Sequence, residues 1–448
     1  MKLLLAWGVG MRVYAGALFQ EVLEKDVDFR GASCSLCAQV GDKPLIDYQS
    51  FKSLLPNSII KLLTTATCLK QLKESFSYTT VLQVCGEIKE GILKGDLVLI
   101  GSGDPSLESE LYPEAKTLTR WAQGVKALGV DSIQGDILVD VSCFDTIAFP
   151  PSWGLDDVGN YYGAGTFGVN FRDNCYPLEF KLGSYAGEAT TLIEPKIKGM
   201  QHINEVTMDA VGTGDRAHVF EGERENLRYI RGTLPLGYST YTIQASLPNP
   251  PQAFGEALQE ALQKENITCS NGVRIVSGLY QKKAVLQSFF HKSPPLIELV
   301  KKIHQKSINL YAECLLKTLG LGSREGGLKV VKAYLEELHV DVRGWRLFDG
   351  GGLSYKNLVT TKGFTSFLAA LQKESYFEAF LRSLEQKAPY PLFVKTGTSS
   401  EGKSLAGYLV NKKGERVVFC LMVNRFLGPS QKLKEWMQDV LDYLHSAE

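Results

Sequence analysis

The sequence predicts a mixed α/β (α+β) protein of more than one domain, and three observations predict it. Helical signals fall early, over residues 58–73, and again late, over 295–320, 327–338 and 430–445. Between them, residues 165–245 are rich in Thr, Val, Gly and Tyr and carry no long helical period, which reads as a β-rich module. A length of 448 residues, at roughly 150 per domain, suits two to four domains.

The elements follow in order. Pro56-Asn57 supplies a helix start, and Ile59, Ile60, Leu62, Leu63, Ala66 and Leu69 supply an apolar side to the helix behind it. From Thr79 the pattern changes: VLQVCGEI and DLVLIGSG look like strands separated by turns. Residues 117–129 read as a short helix ending at Gly129, IQGDILVD as another strand, and 252–265 as a further helix. Late in the chain AGYLV and RVVFCLMVN flank NKKGE, a hairpin signal, before the final helix. There are no internal repeats, low-complexity tracts or long flexible linkers.

Composition excludes several classes. Hydrophobic residues at 44% and charged residues at 22% are ordinary for a globular protein with a large core. The 49 basic residues cancel the 49 acidic ones, which argues against a nucleic-acid partner. Nine cysteines leave at least one thiol unable to pair within the chain. Cys34 and Cys37 form a lone C-x-x-C without a second ligand pair at zinc-site spacing, so no metal is expected there. The first residues, MKLLLAWGVGMRVYAGA, read as a signal for export over residues 1–17, with a first amphipathic helix of the mature fold as the alternative. Lys2 is the charged start, Leu3 to Met11 the apolar stretch (Arg12 interrupts it), and Ala15-Gly16-Ala17 the small-residue cleavage site. No other stretch approaches the ~20 apolar residues of a membrane-spanning helix.

Three short motifs carry chemistry. In Ser58-Ile59-Ile60-Lys61, positions i and i+3 share a helix face, so Lys61 can reach the Ser58 hydroxyl and act as its base. The free N–H groups of a helix start suit a developing oxyanion. Ser400-Glu401-Gly402-Lys403 matches the same pattern, so S-x-x-K alone says little. In Ser307-Ile308-Asn309 a hydroxyl can relay a proton and an amide can bind a substrate carbonyl; an N-cap serine before a surface asparagine is the bland alternative. In Lys395-Thr396-Gly397-Thr398, after the strand-like PLFV, a lysine and threonines can hold a carboxylate. The glycine there lets a ligand backbone approach. No H-E-x-x-H, G-x-S-x-G or Walker A pattern is present.

The order S-x-x-K, S-x-N, K-T-G is the signature of penicillin-binding proteins and serine β-lactamases. The chain resembles, more closely, the penicillin-binding protein 4 type of D-alanyl-D-alanine carboxypeptidase/endopeptidase (class C, low molecular mass). GDLVLIGSGDPSL, PSWGLDDVGNYYGAGTFGVNFRDN, SINLYAECLLKTLG, DGGGLSYKNLVT and VKTGTS with AGYLV and VVFCLMVN carry the resemblance, from about residue 45 to about 430. Ser58 and Ser307 lie 249 residues apart (307 − 58), a gap the family fills with inserted accessory domains.

The resemblance implies a β-lactamase/transpeptidase-like catalytic domain, with a five-stranded antiparallel sheet flanked by helices and β-rich insertions. The expected division is a catalytic domain over 18–74 and 276–448, an accessory domain over 75–164 and 240–275, and a second β-rich module over 165–239. It implies that Ser58 is acylated with Lys61 as base, and that Ser307, Asn309 and Lys395 complete the proton network and bind the peptide. It implies further that Thr396 and Thr398 hold the terminal carboxylate beside Gly397, with the amides of Ser58 and Thr398 as oxyanion hole. Asp157 and Tyr162 would contact the amino-bearing end of the diaminopimelate side chain.

The implied substrates are the D-Ala-D-Ala ends and the D-Ala–diaminopimelate cross-links of peptidoglycan stem peptides. β-Lactam antibiotics would be covalent inhibitors, and no cofactor is needed. The implied place is the periplasm, with peripheral membrane or wall association left open. One position departs from the pattern: Tyr355 stands where close relatives often carry an arginine expected to contact a substrate carboxylate. That bears on the diaminopimelate preference and the endopeptidase activity, not on acylation. Two other readings share the motifs, a serine β-lactamase and a non-catalytic wall-binding protein of the same fold.

Overall fold

The computed structural model describes residues 26–193, 197, 199–221, 226–278 and 283–447, so the expected signal over residues 1–17 lies outside the described residues. The chain divides into two units. The first comprises Met1–Ser75, Leu296–Ile308 and Arg324–Glu448, and the second Phe76–Pro295 and Asn309–Ser323.

In the first unit, strands β1 (Ser33–Val40), β2 (Lys43–Tyr48), β3 (Glu385–Lys387), β4 (Leu392–Ser399), β5 (Gly402–Val410) and β6 (Arg416–Asn424) make one antiparallel sheet. Its order is β3-β4-β5-β6-β1-β2. The expected five strands are joined by a sixth, the three-residue edge strand β3. The hairpin signal NKKGE is the β5–β6 turn, where Gly414 takes a positive φ of 79°.

The helices of this unit are α1 (Ile60–Leu72), α2 (Leu296–Lys306), α3 (Arg324–Glu337), α4 (Thr361–Leu371), α5 (Phe377–Ser383) and α6 (Ser430–Ser446). Helix α6 lays Leu433, Met437, Val440, Leu441 and Leu444 into a core with Leu36, Leu405, Val417, Phe419 and Leu421. Helix α4 packs against β1 and β6. Its Thr365 hydroxyl donates to the Cys37 carbonyl at 3.1 Å, and Tyr408 donates to the Leu368 carbonyl at 2.8 Å. With helices covering it, β6 is buried from Val417 to Asn424, which is why RVVFCLMVN reads as a continuous apolar run rather than an alternating one.

Helix α1 is buried on every side from Ile60 to Leu69, not on one side as the sequence suggested. Its polar members are satisfied locally. Thr64 donates to the Gly350 carbonyl at 2.9 Å, Thr65 to the Lys61 carbonyl at 2.7 Å and Thr67 to the Leu63 carbonyl at 2.8 Å. The helix expected over 295–320 is two helices. Ser307 adopts φ 58°, which α-helical backbone cannot continue through, so α2 stops at Lys306 and a new helix runs over Asn309–Leu319.

The second unit holds a five-stranded mixed sheet in the order Val273–Val276, Ile137–Asp140, Asp96–Ile100, Thr79–Cys85, Val285–Lys292. Helices Thr117–Ala127 and Pro250–Lys264 pack together, with Trp121 edge-on to Phe254 at 6.1 Å in a shared core. Two three-stranded sheets occupy the β-rich stretch, which contains no α-helix among the described residues.

Three limits differ from the expected division. Thr240–Ser246 pairs with Cys175–Lys181, so that strand goes with the β-rich stretch rather than starting beyond it at 240. Val285–Lys292 pairs with Thr79–Cys85, which carries residues up to Pro295 into the second unit. Asn309–Ser323 joins it too. Cys34 and Cys37 sit three apart on β1 and so face opposite sides of the strand. Burial pushes their thiols up to about 12 and about 11. No helix among the described residues is long and apolar enough to cross a membrane.

The approach to α1 depends on one side chain. The Asn424 carboxamide accepts from the Leu55 amide at 2.7 Å and donates to the Leu55 carbonyl at 3.1 Å. Asn424→Ala leaves both part-buried groups without this partner and is expected to destabilise the protein by about 1 kcal/mol, read as a lower thermal midpoint.

Candidate active site

The turn that presents Ser58 is held from three sides within the first unit. Asn57 takes φ 53°, a left-handed conformation that asparagine tolerates. A 3₁₀ turn over Asn57–Ile59 then feeds α1. The Asn57 amide donates to the Gly402 carbonyl at 3.1 Å, and the Ser404 hydroxyl of β5 donates to the Pro56 carbonyl at 2.5 Å. Gly397 of β4 backs against the same turn: a Cβ there would lie 2.9 Å from the Ser58 nitrogen and 2.8 Å from the Asn57 Cβ. Gly352 meets it from the other side, where a Cβ would fall 2.1 Å from the Asn57 carbonyl oxygen. The glycine of K-T-G is thus required by this protein's own backbone as well as by any ligand.

Ser58 is half-buried, and Lys61 is wholly buried one turn on. Lys61 Nζ lies 3.1 Å from Ser58 Oγ and donates to the Gly351 carbonyl at 2.5 Å. That carbonyl is aimed by a loop wound round the buried Asp349. One carboxylate oxygen accepts from the Gly352 amide and the Asn357 side chain, each at 2.8 Å, and the other from the Ser354 amide at 2.6 Å. Asp349 and the carbonyls of Gly350 and Gly351 are functional groups the sequence reading missed. The run D-G-G-G-L-S was the available signal, since an acidic residue before three glycines suits a loop coiled on its own carboxylate. Tyr355 in this loop is exposed, with the Lys356 ammonium 5.8 Å from its ring centroid.

Lys395 is buried on β4 and donates to the Thr396 carbonyl at 2.8 Å. Burial lowers its ammonium to about 8, opposed by the Glu385 carboxylate and assisted by Lys387. Lys395 and Gly397 share one face of the strand, and Thr396 (half-buried) and Thr398 (exposed) occupy the alternate positions. Ser307 is half-buried at the end of α2. The second S-x-x-K match loses its geometry: Ser400 lies in the β4–β5 turn and Lys403 on β5, so the two never share a helix face.

The remaining expected residues lie in the second unit. Asn309 begins the helix Asn309–Leu319 and donates from its side chain to the Tyr162 carbonyl at 2.7 Å. The Tyr162 hydroxyl is half-buried and reaches the Asp156 carbonyl at 3.5 Å. Burial, and next the Asp157 and Asp156 carboxylates, push that hydroxyl well above its ordinary range. Asp157 accepts from the Gly154 amide at 3.2 Å. The structure therefore gathers Ser58, Lys61 and Gly397 in one unit, and Asn309, Tyr162 and Asp157 in the other.

Comparison with known proteins follows this geometry. D-alanyl-D-alanine carboxypeptidase DacB of Haemophilus influenzae is 24% identical over 406 residues, 85% of this chain and 83% of its own length. The D-alanyl-D-alanine carboxypeptidase of Actinomadura sp. (strain R39) is 28% identical over 414 residues, 85% of this chain and 75% of its own. Among solved structures, penicillin binding protein 4 (dacB) from Haemophilus influenzae superposes with a TM-score of 0.80 at 23% identity, over 93% of this chain and 97% of that one, and so shares the fold. Residues 20–444 match a single peptidase family from one end to the other, and on that span the chain belongs to the D-Ala-D-Ala carboxypeptidase 3 (S13) family.

Proposed function

We propose that this chain is a serine D-Ala-D-Ala carboxypeptidase that trims peptidoglycan stem peptides through an acyl-enzyme on Ser58. The observation that carries the reading is the wholly buried Lys61 amine 3.1 Å from the half-exposed Ser58 hydroxyl. In its neutral form that amine takes the hydroxyl proton as Ser58 Oγ attacks the carbonyl of the penultimate D-Ala. The carbonyl oxygen becomes an oxyanion facing the amides of Ser58 and Thr398. Collapse breaks the peptide bond, and terminal D-Ala leaves as an amine after receiving a proton from Lys61 through the Ser307 hydroxyl. Water then adds to the Ser58 ester, giving a proton to the same lysine; that proton passes to Ser58 Oγ as the ester bond breaks, which restores the free hydroxyl and releases the shortened peptide as a carboxylic acid.

The other expected roles belong to the same proposal. The Asn309 amide binds a substrate carbonyl; its tie to the Tyr162 carbonyl supports the reading, because it fixes which way the amide points. Lys395 supplies positive charge, and Thr396, Gly397 and Thr398 line the place of the terminal carboxylate. Asp157 and Tyr162 meet an amine on the substrate side chain. A β-lactam, whose strained amide mimics the dipeptide, acylates Ser58 in the same way. Cleavage of D-Ala–diaminopimelate cross-links is a second activity of this site, weakened by Tyr355 in place of an arginine. The place of action is the periplasm.

Digestion of purified monomeric and cross-linked muropeptides, with product analysis, tests the substrate. Release of D-Ala from pentapeptide monomers is expected, and intact pentapeptide after prolonged digestion overturns the reading. Penicillin is expected to leave one covalent adduct, mapped by mass spectrometry to Ser58 and absent in Ser58→Ala.

Gly397→Ala puts a methyl group 2.9 Å from the Ser58 nitrogen. It is expected to slow acylation by about 10²-fold, the scale of an ångström-sized misplacement, measured with a reporter penicillin. The pH profile has a definite sign. The Lys395 ammonium is present below about 8 and lost above it. Carboxypeptidase kcat/KM should therefore fall on the alkaline side near that value. The limb should disappear in Lys395→Arg, whose side chain stays charged.

A further inference from the structure

His304 is a residue that neither the motifs nor the proposed mechanism uses. It lies on α2, one helical turn before Ser307, and is 1% exposed. Its Nε2 is 2.8 Å from the Thr65 hydroxyl on α1, and its Nδ1 is 2.8 Å from the Ser383 hydroxyl at the end of α5. The ring stands edge-on to Phe380 of α5 at 5.3 Å. One side chain therefore ties three helices of the first unit together.

The bond to α1 reaches Lys61 itself, because the Thr65 hydroxyl donates to the Lys61 backbone carbonyl at 2.7 Å. Ser383 likewise donates to the Phe380 carbonyl at 2.6 Å. Each hydroxyl has one proton, so both turn lone pairs toward the imidazole. Only a doubly protonated ring would satisfy every bond at once. Burial, followed by the Lys395 and Lys61 ammonium groups, holds the ring in its neutral form. A neutral ring donates to one hydroxyl and accepts from the other, whose backbone carbonyl then loses that partner. A group with one donor and one acceptor at this spacing keeps both links between the helices, at the cost of one of those carbonyl bonds. An apolar group of the same size leaves each hydroxyl only its own backbone carbonyl and removes both links between the helices.

We propose that His304 is a positioning residue for acyl transfer: its imidazole fixes the Lys61 turn of α1 against the helix that delivers Ser307. The proposal rests on the Ser58–Lys61 reading above.

Single-turnover acylation by a reporter penicillin, separated into binding and acylation steps on the purified full chain, tests it. Wild type, His304→Leu, His304→Gln and Thr65→Val are compared, each with its thermal midpoint. His304→Leu is expected to slow the acylation step by roughly tenfold or more while penicillin dissociation changes little. His304→Gln, which keeps one donor and one acceptor, is expected to restore most of the rate. Thr65→Val preserves shape and removes only the hydroxyl link, so it should slow the same step and decides the matter if His304→Leu does not fold. A folded His304→Leu or Thr65→Val acylated at the wild-type rate overturns the inference, as does a His304→Gln no faster than His304→Leu. A wild-type chain left unmodified at Ser58 overturns the underlying reading with it.

Discussion

The first unit is organised around keeping one amine dry. Lys61 is wholly buried, and a buried amine must find hydrogen-bond partners inside the protein. It finds the Ser58 hydroxyl and the Gly351 carbonyl. That second partner exists only because the D-G-G-G-L-S loop coils on the Asp349 carboxylate and turns two successive carbonyls, of Gly350 and Gly351, toward α1. The loop in turn needs Gly352, since any side chain there would strike the Asn57 carbonyl. An acidic residue and its glycines, nearly three hundred positions beyond Ser58, thereby set the surroundings of Ser58 and Lys61.

The second unit meets its buried polar groups with a similar device. Arg172, Asp173 and Asn174 all take left-handed backbone, with φ of 51°, 57° and 52°. The turn is held by the Asn174 side chain, which donates to the Gly165 carbonyl and the Asn170 side chain at 2.8 Å and accepts from the Phe171 amide at 2.8 Å. The turn delivers Asp173 to the helix Asn309–Leu319. There Tyr311 and Ser109 each donate to its carboxylate at 2.8 Å, and burial raises that carboxyl. The loop that carries Tyr162 is therefore anchored to the same helix that starts at Asn309, once by a side chain and once by a backbone carbonyl.

Much of the fold was legible because its signals are local. The hairpin at NKKGE, the helix behind Pro56-Asn57 and the final helix all rest on turn chemistry or apolar spacing within a few residues. The helix over 295–320 was misread as continuous because nothing in SINLY marks Ser307 as left-handed; that conformation is imposed by the surrounding structure rather than by propensity. Helix α1 looked amphipathic because Lys61, Thr64 and Thr65 are polar, yet each is buried with a partner far away in sequence or one turn back. For the site, the motifs named Ser58, Lys61 and Gly397. They could not name His304 or Ser404, whose contribution is a hydrogen bond to a residue found only by folding, nor Asp349, whose own bonds are local but whose effect on Lys61 runs through the Gly351 carbonyl. The close approach of Gly397 to the Ser58 amide was hidden for the same reason.

The order of strands in the first unit has a consequence for how the protein is made. Strand β1 pairs along its whole length with β6, from Ser33 opposite Asn424 to Val40 opposite Val417. A nascent chain thus emerges with β1 and the Ser58 segment long before β6, β4 and β5 exist, and must complete the intervening second unit in the meantime. Pairings of such long sequence separation close slowly and leave apolar strands unprotected while they wait. The clamp on Asn57 and Pro56 comes from β4 and β5, so the Ser58 turn takes shape among the last events of folding. A chain cut short before β5 therefore carries every atom of the serine–lysine pair without the frame that aligns it.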